Sequence, residues 1–502
     1  MPKRLVGLLV LAVFPSTALA APVVVLGPRG HAVMRNDPFV TGPALTPAPV
    51  PAVAASTGAT APTRATGSRA TAAAVSRRRP KRKRPSPGVT VASQLARLYH
   101  RHQIALAAEQ AYTASFNQAL AAERKLTGTR RSELSAVTVN LHQMAASGSL
   151  TPSRLPALFE TLDRNREWWT TGPLLSAGER VEFAGSQLVW QYYPGQGIEL
   201  QVLGTFGKAD GLYAAGLNDY PALQELLGEM IPLAAQRGGG LTWEYYFNFD
   251  GGRPPWTSAM SQGTGLEALS RAFRAFHDPS YLDIARRALS IFSVPPPVGV
   301  RIPTSLGTRF LQYSFAPGAS IINAFLQTLI GLYDYAKVSG DPRATALFNA
   351  GNAEALAEVP SFDTGAWSLY QPGLEDTLGY HQLVTGFLQQ LCTRTAAPVY
   401  CTTATHFQAD LTTPPGLSLL THRARIHRPT SIRFQLSKVS HVGIVVLAAN
   451  STAYSTSATF VHGVGAFSIP PLKRPGLYTV QLAATDLAGN FNRITGTVSV
   501  SR

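Results

Sequence analysis

From Val91 onward, Leu95, Leu98, His102, Ala105, Tyr112, Phe116 and Ala119 recur at intervals of three, four or seven. That is the spacing of one helix face, so a long helix is predicted there, with a second over 134–144. Between 181 and 206 the residues turn aromatic and β-branched, and Gly195 and Gly197 supply turn signals; a few short strands are expected. Helical stripes return from 221 to 392, as in Leu266, Leu269, Phe273 and Phe276, then Tyr281, Ile284, Ala288 and Phe292, then Phe325, Leu329 and Leu332. Connectors such as His277-Asp278-Pro279 and Ser339-Gly340-Asp341-Pro342 separate them. Paired helices on short loops predict an α/α-hairpin array closed into a barrel or toroid, with a small β element.

After residue 411 the period becomes two. Tyr478, Val480, Leu482 and Ala484 alternate with their neighbours, and Asp486-Leu487-Ala488-Gly489-Asn490 turns into a last strand holding Val498 and Val500. With strands over 432–436 and 443–447, a C-terminal β-sandwich of immunoglobulin size is expected. It would serve for surface attachment or simply for stability.

The ends of the pattern carry no periodicity. Residues 1–20 combine Lys3 and Arg4, a short apolar run and the small-residue end Ala18-Leu19-Ala20, the form of a secretory signal peptide. The expected product is secreted or held at the cell surface, without stable membrane insertion once the signal is cleaved. Residues 21–88 are rich in Ala, Pro, Thr, Ser and Gly, which predicts a disordered linker. The domains expected are therefore the signal peptide at 1–20, the linker at 21–88, a helical domain at 89–395 and the sandwich at 410–502.

Charge changes this picture only locally. Of the formal +16, seven charges come from Arg77, Arg78, Arg79, Lys81, Arg82, Lys83 and Arg84, inside the linker. This run reads as adhesion to an anionic cell wall or as a solvated spacer, and export argues against a nucleic-acid partner. The two cysteines, Cys392 and Cys401, can close a small loop in an oxidising compartment or lie buried as thiols. The histidines show no ligand spacing, so no metal is expected, and no phosphate-binding glycine pattern follows a predicted strand, so no nucleotide cofactor is expected either.

Candidate chemistry lies in three blocks. The first is Pro255-Trp256-Thr257-Ser258-Ala259-Met260-Ser261-Gln262-Gly263. The second is Tyr313 followed by Ile322-Asn323-Ala324-Phe325 and Leu329-Ile330-Gly331-Leu332-Tyr333-Asp334. The third is Asp363-Thr364-Gly365 running to Ser368-Leu369-Tyr370 and Tyr380-His381. In identity, order and spacing these blocks resemble the C-terminal catalytic domain of the D-glucuronyl C5-epimerases, over about 240–392.

The resemblance implies C5 epimerisation of glucuronate residues in an acidic, uronate-containing polysaccharide, without a cofactor. Such a reaction removes the proton beside the carboxylate and returns one to the opposite face, so two proton-transfer groups must flank the ring. A tyrosine, with a pKa of about 10, is a ready acid and becomes a base only when its phenolate is favoured. By resemblance Tyr380 is one proton-transfer group, Tyr313 and Tyr370 are further site tyrosines, and Gln312 stands where the family has a glutamate base. A glutamine amide cannot cycle a proton; either Tyr313 serves the second face or reversible epimerisation is lost.

Trp256, Met260, Gln262, Asn323 and His381 are the expected substrate-binding residues, with Gln262, Asn323 and His381 as donors to the developing negative charge. Val384 replaces the family's second histidine. Trp243, Tyr245, Tyr246 and Trp256 form either an aromatic wall for sugar rings or a core cluster. Two other functions fit the residues: a uronate polysaccharide lyase, which begins with the same proton abstraction, and a non-catalytic polysaccharide-binding surface protein.

Overall fold

The structure, a computed structural model, describes residues 21–27, 30–40, 88–449 and 451–502. The expected export segment and the basic run lie outside the described residues. Two compact units emerge: one takes in the described residues before 41 and Leu95–Asp410, the other Leu411–Arg502 with 88–94.

The first unit corrects the expected linker. Inside the segment expected to be disordered lie two strands, β1 (Ala21–Leu26) and β2 (Ala32–Asp37). These join β3 (Arg180–Phe183), β4 (Trp190–Tyr193) and β5 (Gly197–Leu200) in the order β2-β1-β3-β4-β5, with β1 and β3 parallel. Val23-Val24-Val25-Leu26 is a β-branched island that the average composition of 21–88 conceals, and Val23 and Leu26 are buried. A charge cluster fastens the strands. The Lys208 ammonium lies 2.7 Å from Glu182 on β3 and 3.3 Å from Asp37 at the end of β2, with all three side chains buried.

The first predicted helix is broken in two, α1 (Val91–His100) and α2 (Leu106–Lys125). The chain turns between them, where His102 takes a left-handed φ of 55°. α2, α3 (Gly128–Ala146) and α4 (Leu155–Thr171) pack together, and α3 and α4 meet β5.

The rest of this unit is a row of helical hairpins. α5 (Val202–Ala215), α7 (Ala259–Phe276), α9 (Ile322–Ser339) and α11 (Leu378–Thr395) are successive neighbours. α6 (Tyr220–Met230), α8 (Ser280–Ala288), α10 (Pro342–Glu358) and α12 (Pro398–Asp410) each pack against the helix before them in the chain. The helical body therefore runs to Asp410, beyond the expected boundary at 395. The Cys392–Cys401 disulfide joins α11 to α12.

Small residues and shared ions bind the row. A Cβ on Gly331 of α9 would stand 1.9 Å from the Gly263 carbonyl oxygen of α7, so the two backbones meet only because both positions are glycine. Arg271 reaches Asp210 at 2.9 Å and Glu267 at 2.5 Å, while Arg394 reaches Asp334 at 2.6 Å and Glu267 at 3.6 Å. These pairs connect α5, α7, α9 and α11 by charge.

A short hairpin precedes each of the last three inner helices. β6 (Ala235–Arg237) and β7 (Gly240–Thr242) lead to α7, β8 (Arg301–Pro303) and β9 (Thr308–Phe310) to α9, and β10 (Leu369–Gln371) and β11 (Leu374–Glu375) to α11. The segments between hairpin and helix thus gather at the N-terminal ends of the inner helices.

The second unit is two facing sheets. β12 (Leu417–Leu419), β14 (Thr430–Leu436) and β17 (Gly463–Ile469) form one. β13 (Arg423–Arg425), β19 (Phe491–Ser501), β18 (Gly476–Asp486), β15 (Ser440–Ala448) and β16 (Ser451–Phe460) form the other. Phe434 and Phe467 from the first sheet share a core with Ile444, Val480 and Leu482 from the second. Tyr478, Val480, Leu482 and Ala484 are the inward side of the predicted alternation.

Candidate active site

Backbone pairing fixes the second block against the first. The Ala259 N–H donates to the Leu311 carbonyl at 2.9 Å, the Ser314 N–H to the Thr257 carbonyl at 2.9 Å, and the Thr257 N–H to the Ser314 hydroxyl at 3.1 Å. Gln312 and Tyr313 are therefore held at the entry to α7. The third block arrives through β10, which carries Tyr370, and through the first turn of α11, where the Thr377 hydroxyl caps the Tyr380 N–H.

Three tyrosines from two of these segments meet. The Tyr370 and Tyr380 rings stand 5.0 Å apart, tilted by 58°. The Tyr370 and Tyr313 hydroxyls pair with each other, and Tyr313 also pairs with Gln312. The charge of Tyr313 acts on Tyr380 as well. Tyr313, Tyr370 and Tyr380 keep 5%, 7% and 8% of their surface exposed, so the cluster is deep but not sealed.

Burial pushes all three phenols above their ordinary range, since a phenolate loses its water there. Tyr313 rises only to about 12, because the Gln312 and Tyr370 hydrogen bonds favour its ionised form. The neighbouring charges of Tyr313 and Asp376 drive Tyr380 higher, and those of Tyr313 and Tyr380 act likewise on Tyr370. At neutral pH the cluster holds neutral acids, and Tyr313 is the member whose phenolate forms most readily.

Of the two expectations for Trp243, Tyr245, Tyr246 and Trp256, the core cluster is what the structure shows, since all four are buried. Trp243 is fully packed, its indole N–H donating to Met230, and the Tyr245 hydroxyl pairs with Ser261 at 2.7 Å. Tyr246 donates to Glu244. Trp256 stacks on Tyr245 at 4.2 Å and presents its edge to Tyr313 at 5.8 Å. It braces the tyrosine from behind. Phe249 and Phe315 complete the surround of Tyr313 at 5.6 and 5.3 Å.

Two expected substrate donors are engaged elsewhere. Gln262 is wholly buried, with its amide N–H donating to the Trp243 carbonyl at 2.8 Å and its oxygen accepting the Trp243 N–H at 3.1 Å. It pins the strand end beside α7. His381 is also wholly buried, sandwiched on Trp367 at 3.8 Å, with Nδ1 2.8 Å from the Ser368 hydroxyl and Nε2 2.9 Å from the Phe407 carbonyl. A substrate-binding role for either side chain is corrected to a structural one. Asn323 lends its Oδ1 to the Ala324 N–H at 2.8 Å at the start of α9, and Met260 is buried in the first turn of α7. Val384 lies in the core.

Sequence reasoning missed Asp376 and Asp250. Asp376 follows β11; its Oδ2 accepts the Ser368 hydroxyl at 2.6 Å, and burial raises its carboxyl to about 7. Its position just before a helix start was the available signal. Asp250 lies within electrostatic reach of Tyr313 and has a left-handed φ of 46° beside Gly251. The Asp-Gly-Gly turn was visible, but not its target.

Among the described residues, no group of His, Cys, Asp or Glu could hold a metal ion, and no helix is long and apolar enough to cross a membrane.

Comparison with known proteins places the site within one matched region. Residues 238–409 match the family described as D-glucuronyl C5-epimerase C-terminus. A D-glucuronyl C5-epimerase of Caenorhabditis elegans is 34% identical over 130 residues, 23% of this chain and 21% of that protein. An uncharacterised protein of Methanocaldococcus jannaschii is 27% identical over 147 residues, 28% of this chain and 46% of its own length. The chain thus spans less than half the length of either relative. Among solved structures, the cellobiose 2-epimerase of Spirochaeta thermophila shares 16% identity over 51% of this chain and 69% of its own, at a TM-score of 0.33, too low to carry an argument.

Proposed function

We propose, from the match of residues 238–409 to the D-glucuronyl C5-epimerase C-terminus family, that the chain epimerises uronate residues at C5 within an acidic polysaccharide. The observation that carries this reading is the meeting of Tyr313, Tyr370 and Tyr380 in one cluster. Tyr313, supported by two hydrogen bonds, takes the C5 proton as phenolate, and Tyr380 returns a proton from the other face. Tyr370, paired with Tyr313, favours its phenolate over the neutral phenol when the proton leaves. Gln312, in the place of the family's glutamate, acts here as a donor to Tyr313 and not as a base.

The same reading takes the helical row as an arc of an α/α toroid and the second unit as an immunoglobulin-like sandwich. Residues 1–20 act as an export signal in this account, and the run at 77–84 favours an anionic surface.

Incubation with a heparosan-like polymer in deuterated water tests the reaction. Deuterium appears at C5, and Tyr380→Phe lowers its incorporation by about a hundredfold or more while polymer binding persists. One observation favours the lyase instead: Gln312 removes a carboxylate from the second face. Unsaturated, ultraviolet-absorbing ends without deuterium at C5 in the remaining polymer would establish that alternative. Binding with neither product would leave the surface-protein reading.

A further inference from the structure

A groove apart from the tyrosine cluster lies between α3 and the loop that follows β7. Asn140 and Gln143 line it from α3, Ser147 from just past the end of that helix, and Asn248, Arg253 and Pro254 from the loop, around a cavity of about 450 Å³. That volume is in the range of small-ligand sites.

Apart from Met144 and Pro254, the lining is amides, a hydroxyl and one cation. Arg253 is exposed and makes no hydrogen bond or ion pair among the described residues, and no carboxylate lines the groove. Asn248 is held in place because both its backbone N–H and its side-chain amide donate to the Gln196 side-chain Oε1, each at 3.0 Å. Asn140 is buried and donates to the Tyr246 carbonyl, while its own Oδ1 has no partner. Fixed amides suit sugar hydroxyls, and an unpaired guanidinium suits a carboxylate or sulfate.

The same loop reaches the cluster. Phe249 lies 5.6 Å from Tyr313, ring to ring, and the charge of Asp250 acts on that tyrosine. A polymer with one ring at the tyrosines would therefore run past the loop into the groove.

We propose that this groove is a flanking subsite for an anionic sugar unit, with Arg253 facing its carboxylate or sulfate and Asn140, Gln143 and Asn248 its hydroxyls. The inference rests on the polysaccharide reading of the site, but not on which reaction occurs there.

Binding of heparosan octasaccharide and disaccharide to the full chain, followed by calorimetry, tests it. Arg253→Ala weakens octasaccharide binding roughly fivefold and leaves the disaccharide unchanged, and Arg253→Lys recovers part of the loss. An N-sulfated octasaccharide that loses more than the unsulfated one assigns the anion as sulfate; equal losses assign it as carboxylate. Equal weakening of long and short fragments, no change in either, or no binding of the octasaccharide by the unaltered chain overturns the subsite. A selective effect of Arg253→Ala in a protein that exchanges no deuterium keeps the subsite and removes the epimerase reading. Exchange with an ineffective Arg253→Ala does the reverse.

Discussion

Tyr313 is neutral at rest, and under the proposed mechanism this sets how the reaction responds to pH. Because burial lifts its pKa to about 12, the basic form grows tenfold for each unit of pH below that value. Deuterium incorporation is therefore expected to rise steadily from pH 7 to 9 in a linear-rate assay. A profile already flat above pH 7 would remove Tyr313 as the base. The three tyrosines were legible in the sequence because their blocks keep family spacing. The roles of Gln262 and His381 were not, since a polar side chain in a motif looks the same whether it faces a ligand or closes a buried hydrogen bond. Only the geometry separates the two cases, with Trp243 taking both ends of Gln262 and Ser368 and Phe407 taking both nitrogens of His381.

Helices, by contrast, declared themselves through their stripes, and the motif glycines acquire a plain reason at this level. Gly263 and Gly331 belong to two of the matched blocks, yet they serve the contact of α7 with α9 rather than chemistry. Gly331→Ala is expected to destabilise the helical body by about 3 kcal/mol, because the Gly263 carbonyl leaves no room for a methyl group. Thermal unfolding would register this as a lower midpoint; an unchanged midpoint would mean that the helices separate easily. The continuous helix predicted from Val91 failed at His102 because a periodic pattern survives a break when both halves bury the same side.

In the molecule as a whole, the N-terminal strands are the largest departure from expectation. Composition averaged over 21–88 is that of a chain that cannot fold alone, but β1 needs only Val23, Val24 and Leu26 because β3 supplies the sheet beside it. The charge cluster shows how strongly these strands are tied. Lys208→Met leaves the buried Glu182 and Asp37 with only the half-exposed Arg35 as a cationic partner and is expected to cost about 3 kcal/mol, measured by denaturant unfolding. Loss below 1 kcal/mol would show that water reaches the cluster. The β-rich C-terminal region was legible from the sequence, because alternation maps directly onto a sheet with one covered side.

The glycine seam also limits how the body can open. Where two backbones touch through Gly263 and Gly331, sliding one helix along the other would drive side chains into the neighbouring carbonyls. Relative movement is then left to the joints before α7, α9 and α11, and the joint before α9 is the stretch that holds Tyr313, so any shift of that joint would also shift the phenol.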